Sequence, residues 1–150
     1  MELLALTAAR SQQVQLAKWD EFDLDAAVWS LSKERMKGRK AFDVPMSKQA
    51  LELIKSLPHE GDYLFGGRQP IGKNALRVLM RQMHPTATPH GWRSTFKDWA
   101  SERTDYPNEV SEMALAHEVG SKVERAYRRT DMLDQRRALL QDWADYLASA

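Results

Sequence analysis

The residues of this sequence best suited to act on a phosphate group are two histidines, an arginine and a tyrosine in its second half. His90 and Arg93 stand three apart, His117 lies within Leu-Ala-His-Glu-Val-Gly, and Tyr127 follows His117 by ten residues. Thr88 and the proline after it predict the start of a helix, whose free N–H groups and positive dipole end would attract an anion. We therefore expect His90 and Arg93 to flank an anion site, although His117 and Tyr127, taken singly, are also typical of packing residues.

The joint pattern resembles the tyrosine recombinase (phage integrase) family. Catalytic domains of that family carry a His-x-x-Arg helix, a Leu-x-His-x-x-Gly segment and a tyrosine nine or ten residues after the second histidine, and residues 90–93, 115–120 and 127 follow this order. Upstream, Leu-Thr-Ala-Ala-Arg-Ser-Gln-Gln-Val at 6–14 looks like the family's first-arginine motif, and Trp-Asp-Glu-Phe-Asp-Leu at 19–24 looks like the segment that follows it in prophage integrases. The resemblance thus extends over most of the chain.

The resemblance implies site-specific DNA recombination, the integration or excision of a prophage or genomic island, by cutting and rejoining DNA strands through a 3′-phosphotyrosyl bond. Two arginines would clamp the phosphate, two histidines would donate to it or move protons, and the tyrosine would attack phosphorus. A lysine on a basic hairpin would protonate the leaving 5′ oxygen, with Lys33 and Lys40 as alternatives to Lys37. The catalytic residues implied in this way are Arg10, Lys37, His90, Arg93, His117 and Tyr127.

The implied partner is double-stranded DNA at attachment sites, bound by a full-length protein that forms a homotetramer on DNA in the cytoplasm. The reaction requires no cofactor and no metal, and none is expected here. Basic residues outside the catalytic set would contact the DNA backbone and make affinity depend on salt rather than on sequence. These residues are Arg35, Arg39, Lys40, Lys97 and Lys122.

Two positions depart from the family pattern. Ala8 stands where the family usually has glycine, and Gln13 stands where an acidic residue often follows the first arginine by three positions, which would weaken the hydrogen bonds that orient Arg10. These departures leave a catalytically inactive DNA-binding remnant as an alternative. Covalent adduct formation would separate the enzyme from this remnant. A type IB topoisomerase, which shares the chemistry, is a second enzyme alternative, and a helical protein-interaction domain, which would show no salt-sensitive DNA affinity, is the last.

The elements that must position these residues can be predicted from hydrophobic spacing. We expect a helix through Leu16, then short strands at 27–31 and 41–45 that form an antiparallel hairpin around Gly38. Ser47 is expected to cap the next helix. The fold class predicted is therefore α+β, mainly α, with a small antiparallel sheet.

Further helices are expected in the second half. One near 71–83 would place Leu79 and Met83 with the core, and the helix beginning at Thr88 would carry His90, Arg93 and Lys97 along the edge of its apolar side. Other helices are predicted from Pro107 to Gly120 with His117 on the apolar stripe, from a capping box at Ser121–Glu124, and over 133–148.

Composition limits the classes of protein that fit. The chain has 150 residues, with 43% hydrophobic and 29% charged side chains, which is typical of one globular domain spanning 1–150. Its net charge of +1 says little about a polyanionic partner, and with no cysteine it has neither disulfides nor thiolate metal sites. No apolar run suggests a membrane span. Because the sequence opens as if inside a buried helix, we expect a fragment whose DNA-binding domains are absent.

Overall fold

The computed structural model describes residues 1–38, 40–121 and 130–149. The predicted residues Arg39, Lys122 and Tyr127, and most of the helix expected from Ser121, lie outside the described residues. The described helices are α1 (Glu2–Thr7), α2 (Ser11–Gln15), α3 (Lys48–Ser56), α4 (Ala75–Met83), α5 (Gly91–Arg103), α6 (Asn108–Ala114) and α7 (Leu133–Ser149). The strands are β1 (Phe22–Asp23), β2 (Val28–Leu31) and β3 (Phe42–Pro45). The predicted fold class, α+β and mainly α, is confirmed.

The first helix does not continue through Leu16 as predicted. It ends at Thr7 because Ala8 adopts a left-handed conformation with φ of 48°. The Thr7 hydroxyl donates to the Leu3 carbonyl oxygen at 2.6 Å and accepts the Ala9 N–H at 3.3 Å, which satisfies polar groups at this helix end. The chain therefore turns sharply between α1 and α2, immediately before Arg10.

The sheet forms as predicted and has one strand more than the sequence indicated. β1, β2 and β3 are antiparallel in that order, with Trp29 opposite both Phe22 and Val44. Trp29 is fully buried, and its indole N–H donates to Glu21 at 3.1 Å. The predicted basic hairpin is the connection between β2 and β3.

The helices that follow the sheet agree in part with the prediction. Ser47 caps α3, since its hydroxyl accepts the Ala50 N–H at 3.2 Å. Helix α4 begins at Ala75 instead of near residue 71, and Leu79 and Met83 are exposed, so their predicted place in the core is wrong.

Helices α5 and α6 differ from the prediction at their ends. The Thr88 hydroxyl accepts the Gly91 N–H at 3.3 Å, but α5 begins at Gly91, two residues later than expected, with His90 in the cap position. Helix α6 ends at Ala114, and Ala116 has a φ of 52°, so His117 lies beyond the helix and not on its apolar stripe. A positive φ stops the helix because its geometry requires a negative one.

Helix α7 packs on its own domain. Leu139, Leu140 and Trp143 are buried as the spacing predicted, and the Trp143 indole donates to the Ala5 carbonyl oxygen at 2.8 Å. The Trp143 ring also meets the Phe96 ring edge-on at 5.6 Å. The closing helix thereby joins α1 and α5, the two elements that lead to the predicted arginines.

None of the helices formed by the described residues is sufficiently long and apolar to span a bilayer.

Candidate active site

Arg93 lies at the centre of the candidate site, with only 5% of its surface exposed. Its guanidinium donates from Nη1 to the Ala8 carbonyl oxygen and from Nη2 to the Leu115 carbonyl oxygen, each at 2.6 Å. Nη2 also lies 3.2 Å from His117 Nε2. Three segments that are far apart in the sequence therefore meet at one side chain.

The backbone turns at Ala8 and Leu115 explain how these carbonyl oxygens reach Arg93. Ala8 is the left-handed residue that ends α1, and Leu115 follows the last residue of α6. Orphan carbonyl oxygens at helix ends need donors, and a buried guanidinium supplies them. Arg93 was expected at the edge of the core, and it is buried because these oxygens replace the water it loses.

Arg10 stands just before α2, and its positive charge acts on Arg93. Burial and the charge of Arg10 lower the pKa of Arg93 and the Glu112 carboxylate raises it, so that the pKa is about 10. Two guanidinium groups thus share one electrostatic environment, although like charges repel.

Gln13 occupies the position where the sequence placed the orientation of Arg10 in doubt. Its side-chain oxygen accepts the Arg10 backbone N–H at 2.7 Å, so the glutamine retains an acceptor at this position. Its amide nitrogen donates to the Met36 sulfur at 3.0 Å. The weaker orientation of Arg10 stays a prediction, and the same side chain reaches the β2–β3 connection next to Lys37.

Lys37 itself is exposed in a turn of that connection. Met36 is buried beside it, so the connection is anchored one residue before the lysine. The structure places Lys37 next to an element that contacts the first turn of α2, while its amine remains open to solvent.

His117 lies between a carboxylate and a guanidinium. Its Nδ1 is 2.7 Å from Glu112 Oε2, and its Nε2 faces Arg93. The histidine is partly exposed, with 44% of its side chain accessible, so it lies at the solvent side of Arg93. It is neither the buried packing residue nor the helical stripe residue that the sequence suggested.

Lys97 belongs to a second layer behind His117. Its amine pairs with Glu112 at 2.9 Å, donates to Ser111 at 2.7 Å and contacts the Asn108 side-chain oxygen. The hydrogen bond and charge of Lys97, together with those of His117, lower the pKa of Glu112, while burial raises it. A continuous row of polar contacts therefore joins Lys97, Glu112, His117 and Arg93.

The remaining predicted residues are more dispersed. His90 is exposed at the start of α5, and Lys40 is exposed in the β2–β3 connection. Arg35 is partly buried: it pairs with Glu21 at 3.2 Å, donates to the Gln13 carbonyl oxygen at 2.7 Å and contacts the Leu16 carbonyl oxygen. Arg35 thus holds the hairpin against α2.

Sequence reasoning missed Glu112 and the two carbonyl oxygens that hold Arg93. Glu112 precedes His117 by five residues, a separation that brings no side chains together on a continuous helix. The two meet because the chain leaves α6 at Ala114 and turns back at Ala116. The signal that could have suggested this is the Leu-Ala-His sequence itself, whose middle residue is left-handed here.

The electrostatic character of the site follows from these contacts. Within the described residues Arg93 forms no ion pair with a carboxylate, and Glu112 is occupied by Lys97 and His117. A buried cation beside a second cation and a partly exposed histidine is suited to an oxyanion of a phosphate. The fold and this cluster define a cationic, phosphate-directed site in a mainly α domain.

Comparison with known proteins agrees with that class. The model of the phage integrase family matches residues 1–133, and the chain belongs to this family. It is 36% identical to the prophage integrase IntZ of Escherichia coli K12 over 99% of this chain and 39% of the relative. It is 34% identical to the prophage integrase IntA of the same organism, over 97% of this chain and 37% of the relative.

A third relative is the integrase of Shigella phage Sf6, which is 31% identical over 97% of this chain and 40% of its own length. The chain thus spans about two fifths of the length of the curated relatives it matches. No solved structure matches the chain.

Proposed function

We propose that this chain is the catalytic domain of a site-specific tyrosine recombinase that integrates or excises a prophage or genomic island. The proposed domain spans 1–150 and acts together with DNA-binding regions of a longer protein. That protein would work in the bacterial cytoplasm, as a homotetramer on double-stranded attachment sites. The names of the three relatives described above, each a prophage or phage integrase, support this proposal.

The observation that carries the proposal is the buried charge of Arg93, which contacts no carboxylate among the described residues and has His117 beside it. Burying a cation without a carboxylate partner is costly, so its retention favours a task that needs the charge. The guanidinium is held by main-chain oxygens, which fix its direction and leave its positive charge for a ligand. Arg10 adds a second positive charge in the same environment.

The proposed chemistry uses these groups on one phosphodiester. The Tyr127 oxygen attacks phosphorus and loses its proton to His90 as the proposed base, while the bond from phosphorus to the 5′ oxygen breaks. Arg10 and Arg93, together with His117 once its Nε2 has gained a proton, stabilise the extra negative charge on the non-bridging oxygens. Lys37 donates a proton to the departing 5′ oxygen. Since one phosphate ester replaces another, a 5′-hydroxyl can reverse the step without an external energy source.

The proposed DNA backbone contacts fall into two groups. Lys40 is exposed and available, and Arg39 and Lys122 remain predictions from the sequence. Arg35 and Lys97 already bind acceptors within the protein, which gives each of them a structural task beside any contact with DNA.

A nicked duplex spanning the recombination junction of the element tests the proposal. After cleavage beside the nick, a short DNA end diffuses away and the covalent complex accumulates. We expect a protein–DNA band resistant to denaturation that disappears in Tyr127→Phe, which lacks the attacking oxygen. The readout is the mobility of labelled DNA under denaturing conditions, with a longer protein that carries this chain as the positive control.

The two other outcomes have defined meanings. Salt-sensitive DNA binding without any adduct, in the longer protein as well, would show the inactive remnant instead. An adduct that persists in Tyr127→Phe would contradict the role of Tyr127 as nucleophile.

A further inference from the structure

We propose that Glu112 is a positioning residue that fixes the tautomer of His117, so that Nδ1 carries the proton and Nε2 is presented to the phosphate site. Lys97 holds Glu112 in the orientation required. The inference rests on the proposed function, because it assigns a purpose to the direction in which His117 points. The hydrogen-bond chemistry that defines the tautomer can be tested separately from DNA cleavage.

The tautomer follows from the donors around the imidazole ring. Arg93 has only N–H donors, so the His117 Nε2 that faces it at 3.2 Å must accept. The proton of the neutral ring then lies on Nδ1, where Glu112 accepts it at 2.7 Å. The tautomer protonated on Nδ1 satisfies the contacts with Glu112 and Arg93, whereas the tautomer protonated on Nε2 satisfies neither contact.

The carboxylate of Glu112 is itself held on both sides. Oε1 receives the Lys97 amine and Oε2 receives His117, so each oxygen has a different partner. Ser111 Oγ accepts from the Lys97 amine and donates to the Asn108 carbonyl oxygen at 2.9 Å, which anchors the lysine to the first turn of α6. The charged partners lower the pKa of Glu112, which keeps it ionised near neutral pH.

This arrangement differs from an ordinary surface ion pair. The Lys97 and Glu112 side chains are 24% and 28% exposed, and the pair continues through His117 to a buried guanidinium. An isolated surface pair contributes little and has no direction. Here the row of contacts ends at the proposed phosphate position. A proton gained there on Nε2 would make His117 a cationic donor, and the Glu112 carboxylate would stabilise that charge.

Nitrogen NMR of the 150-residue chain tests the tautomer directly. We expect ¹⁵N shifts of His117 that mark Nδ1 as protonated and Nε2 as unprotonated at a pH above its titration, with the signals assigned through His117→Ala. In Glu112→Gln the amide can donate to Nδ1, which would place the proton on Nε2 against the Arg93 donors. We therefore expect the Nδ1-protonated form to lose its dominance, whereas Glu112→Asp retains it in part.

The matched control is Glu102→Gln, which removes the same charge from an exposed position on α5. It should leave the His117 shifts unchanged. A wild-type ring protonated on Nε2, or a Glu112→Gln ring identical to wild type, would overturn the proposal.

Cleavage measures the consequence in the longer protein. Errors in the tautomer of a catalytic histidine can cost up to about 10⁴-fold, and His117 is one of several phosphate donors, so we expect the Glu112→Gln rate to fall by about 10-fold or more. Glu112→Asp should retain part of the wild-type cleavage rate, and the control Glu102→Gln should retain all of it. A fall in rate without a change of tautomer would overturn the positioning role. Absence of a wild-type adduct would instead contradict the proposed function and leave the NMR result standing.

Discussion

Two arginines are buried among the described residues, and their surroundings differ. Arg93 and Arg136 each donate to carbonyl oxygens of two different segments. Arg136, which has no exposed surface, also pairs with the Asp131 carboxylate at 2.9 Å and lies 4.9 Å from the centre of the Phe42 ring. Arg93 has His117 in the place of the carboxylate.

The difference distinguishes Arg136, whose charge the protein neutralises itself, from Arg93, whose charge would be available to a ligand under the proposed function. Asp131 and Asp43 raise the pKa of Arg136 against the effect of burial, so the protein balances that charge itself. At Arg93 burial and Arg10 both lower the pKa, and the Glu112 charge that opposes them lies behind His117. Burial alone therefore does not distinguish the two arginines, and the proposed role of Arg93 rests on the absence of a contacting carboxylate among the described residues.

The comparison is tested most severely by replacing Arg93 with methionine. Removal of a single preorganised donor to an oxyanion costs about 100- to 1000-fold in rate, so Arg93→Met should reduce adduct formation on the nicked duplex by at least this factor. The variant leaves the Ala8 and Leu115 carbonyl oxygens without their donor, a cost that relief of the repulsion from Arg10 offsets in part, so we expect a folded protein of lower stability. The rate of adduct formation and the free energy of unfolding in denaturant, measured on the same preparation, test the two expectations. A rate close to wild type would remove Arg93 from the proposed clamp.

Inorganic phosphate provides the control for this variant. It should raise the thermal midpoint of the wild type, since a ligand at about ten times its Kd stabilises the folded state by ~1.4 kcal/mol. Arg93→Met should show no such shift. A phosphate-dependent shift of equal size in both proteins would mean that the anion binds elsewhere.

Arg136→Met should have a large effect on stability and little effect on phosphate binding, the opposite of what we expect for Arg93→Met. It leaves the Asp131 and Asp43 carbonyl oxygens without their donor and removes the ion pair, so we expect a loss of about 3 kcal/mol in the free energy of unfolding. Urea denaturation monitored by tryptophan fluorescence measures this loss. Phosphate should still stabilise the variant wherever it remains folded, and a stability loss smaller than that of Arg93→Met would contradict the structural assignment.

The smallest effect is expected for Ala8→Gly. The left-handed backbone at Ala8 costs an alanine about 1 kcal/mol that a glycine does not pay. The variant loses a buried methyl group worth ~0.8 kcal/mol and gains entropy in the unfolded chain, so the terms nearly cancel. We expect the free energies of unfolding of Ala8→Gly and of the wild type to agree within about 0.5 kcal/mol in the same denaturation assay. A large gain in cleavage would show instead that the alanine impairs the site.

The sequence allowed the general fold and part of the site to be predicted. Hydrophobic spacing and caps identified the β2–β3 hairpin, the cap at Ser47 and the buried face of α7, because these depend on neighbours close in the chain. The spacing of His90 and Arg93 placed both at the start of α5.

The rest depends on contacts between distant segments and could not be read from local pattern. Arg93 is buried because oxygens 85 and 22 residues away accept from it. Lys97 meets Glu112, on another helix, a contact that the local pattern did not indicate. Ala8 and Ala116 adopt left-handed conformations without the glycine that would have signalled them.

Arg136 has one further consequence for the chain that leads into α7. It holds both the main-chain oxygen and the carboxylate of Asp131, and it donates to the main-chain oxygen of Asp43 in β3. One side chain thereby fastens the residues just before α7 to the edge of the sheet, so that a substitution at Arg136 would release both attachments at once.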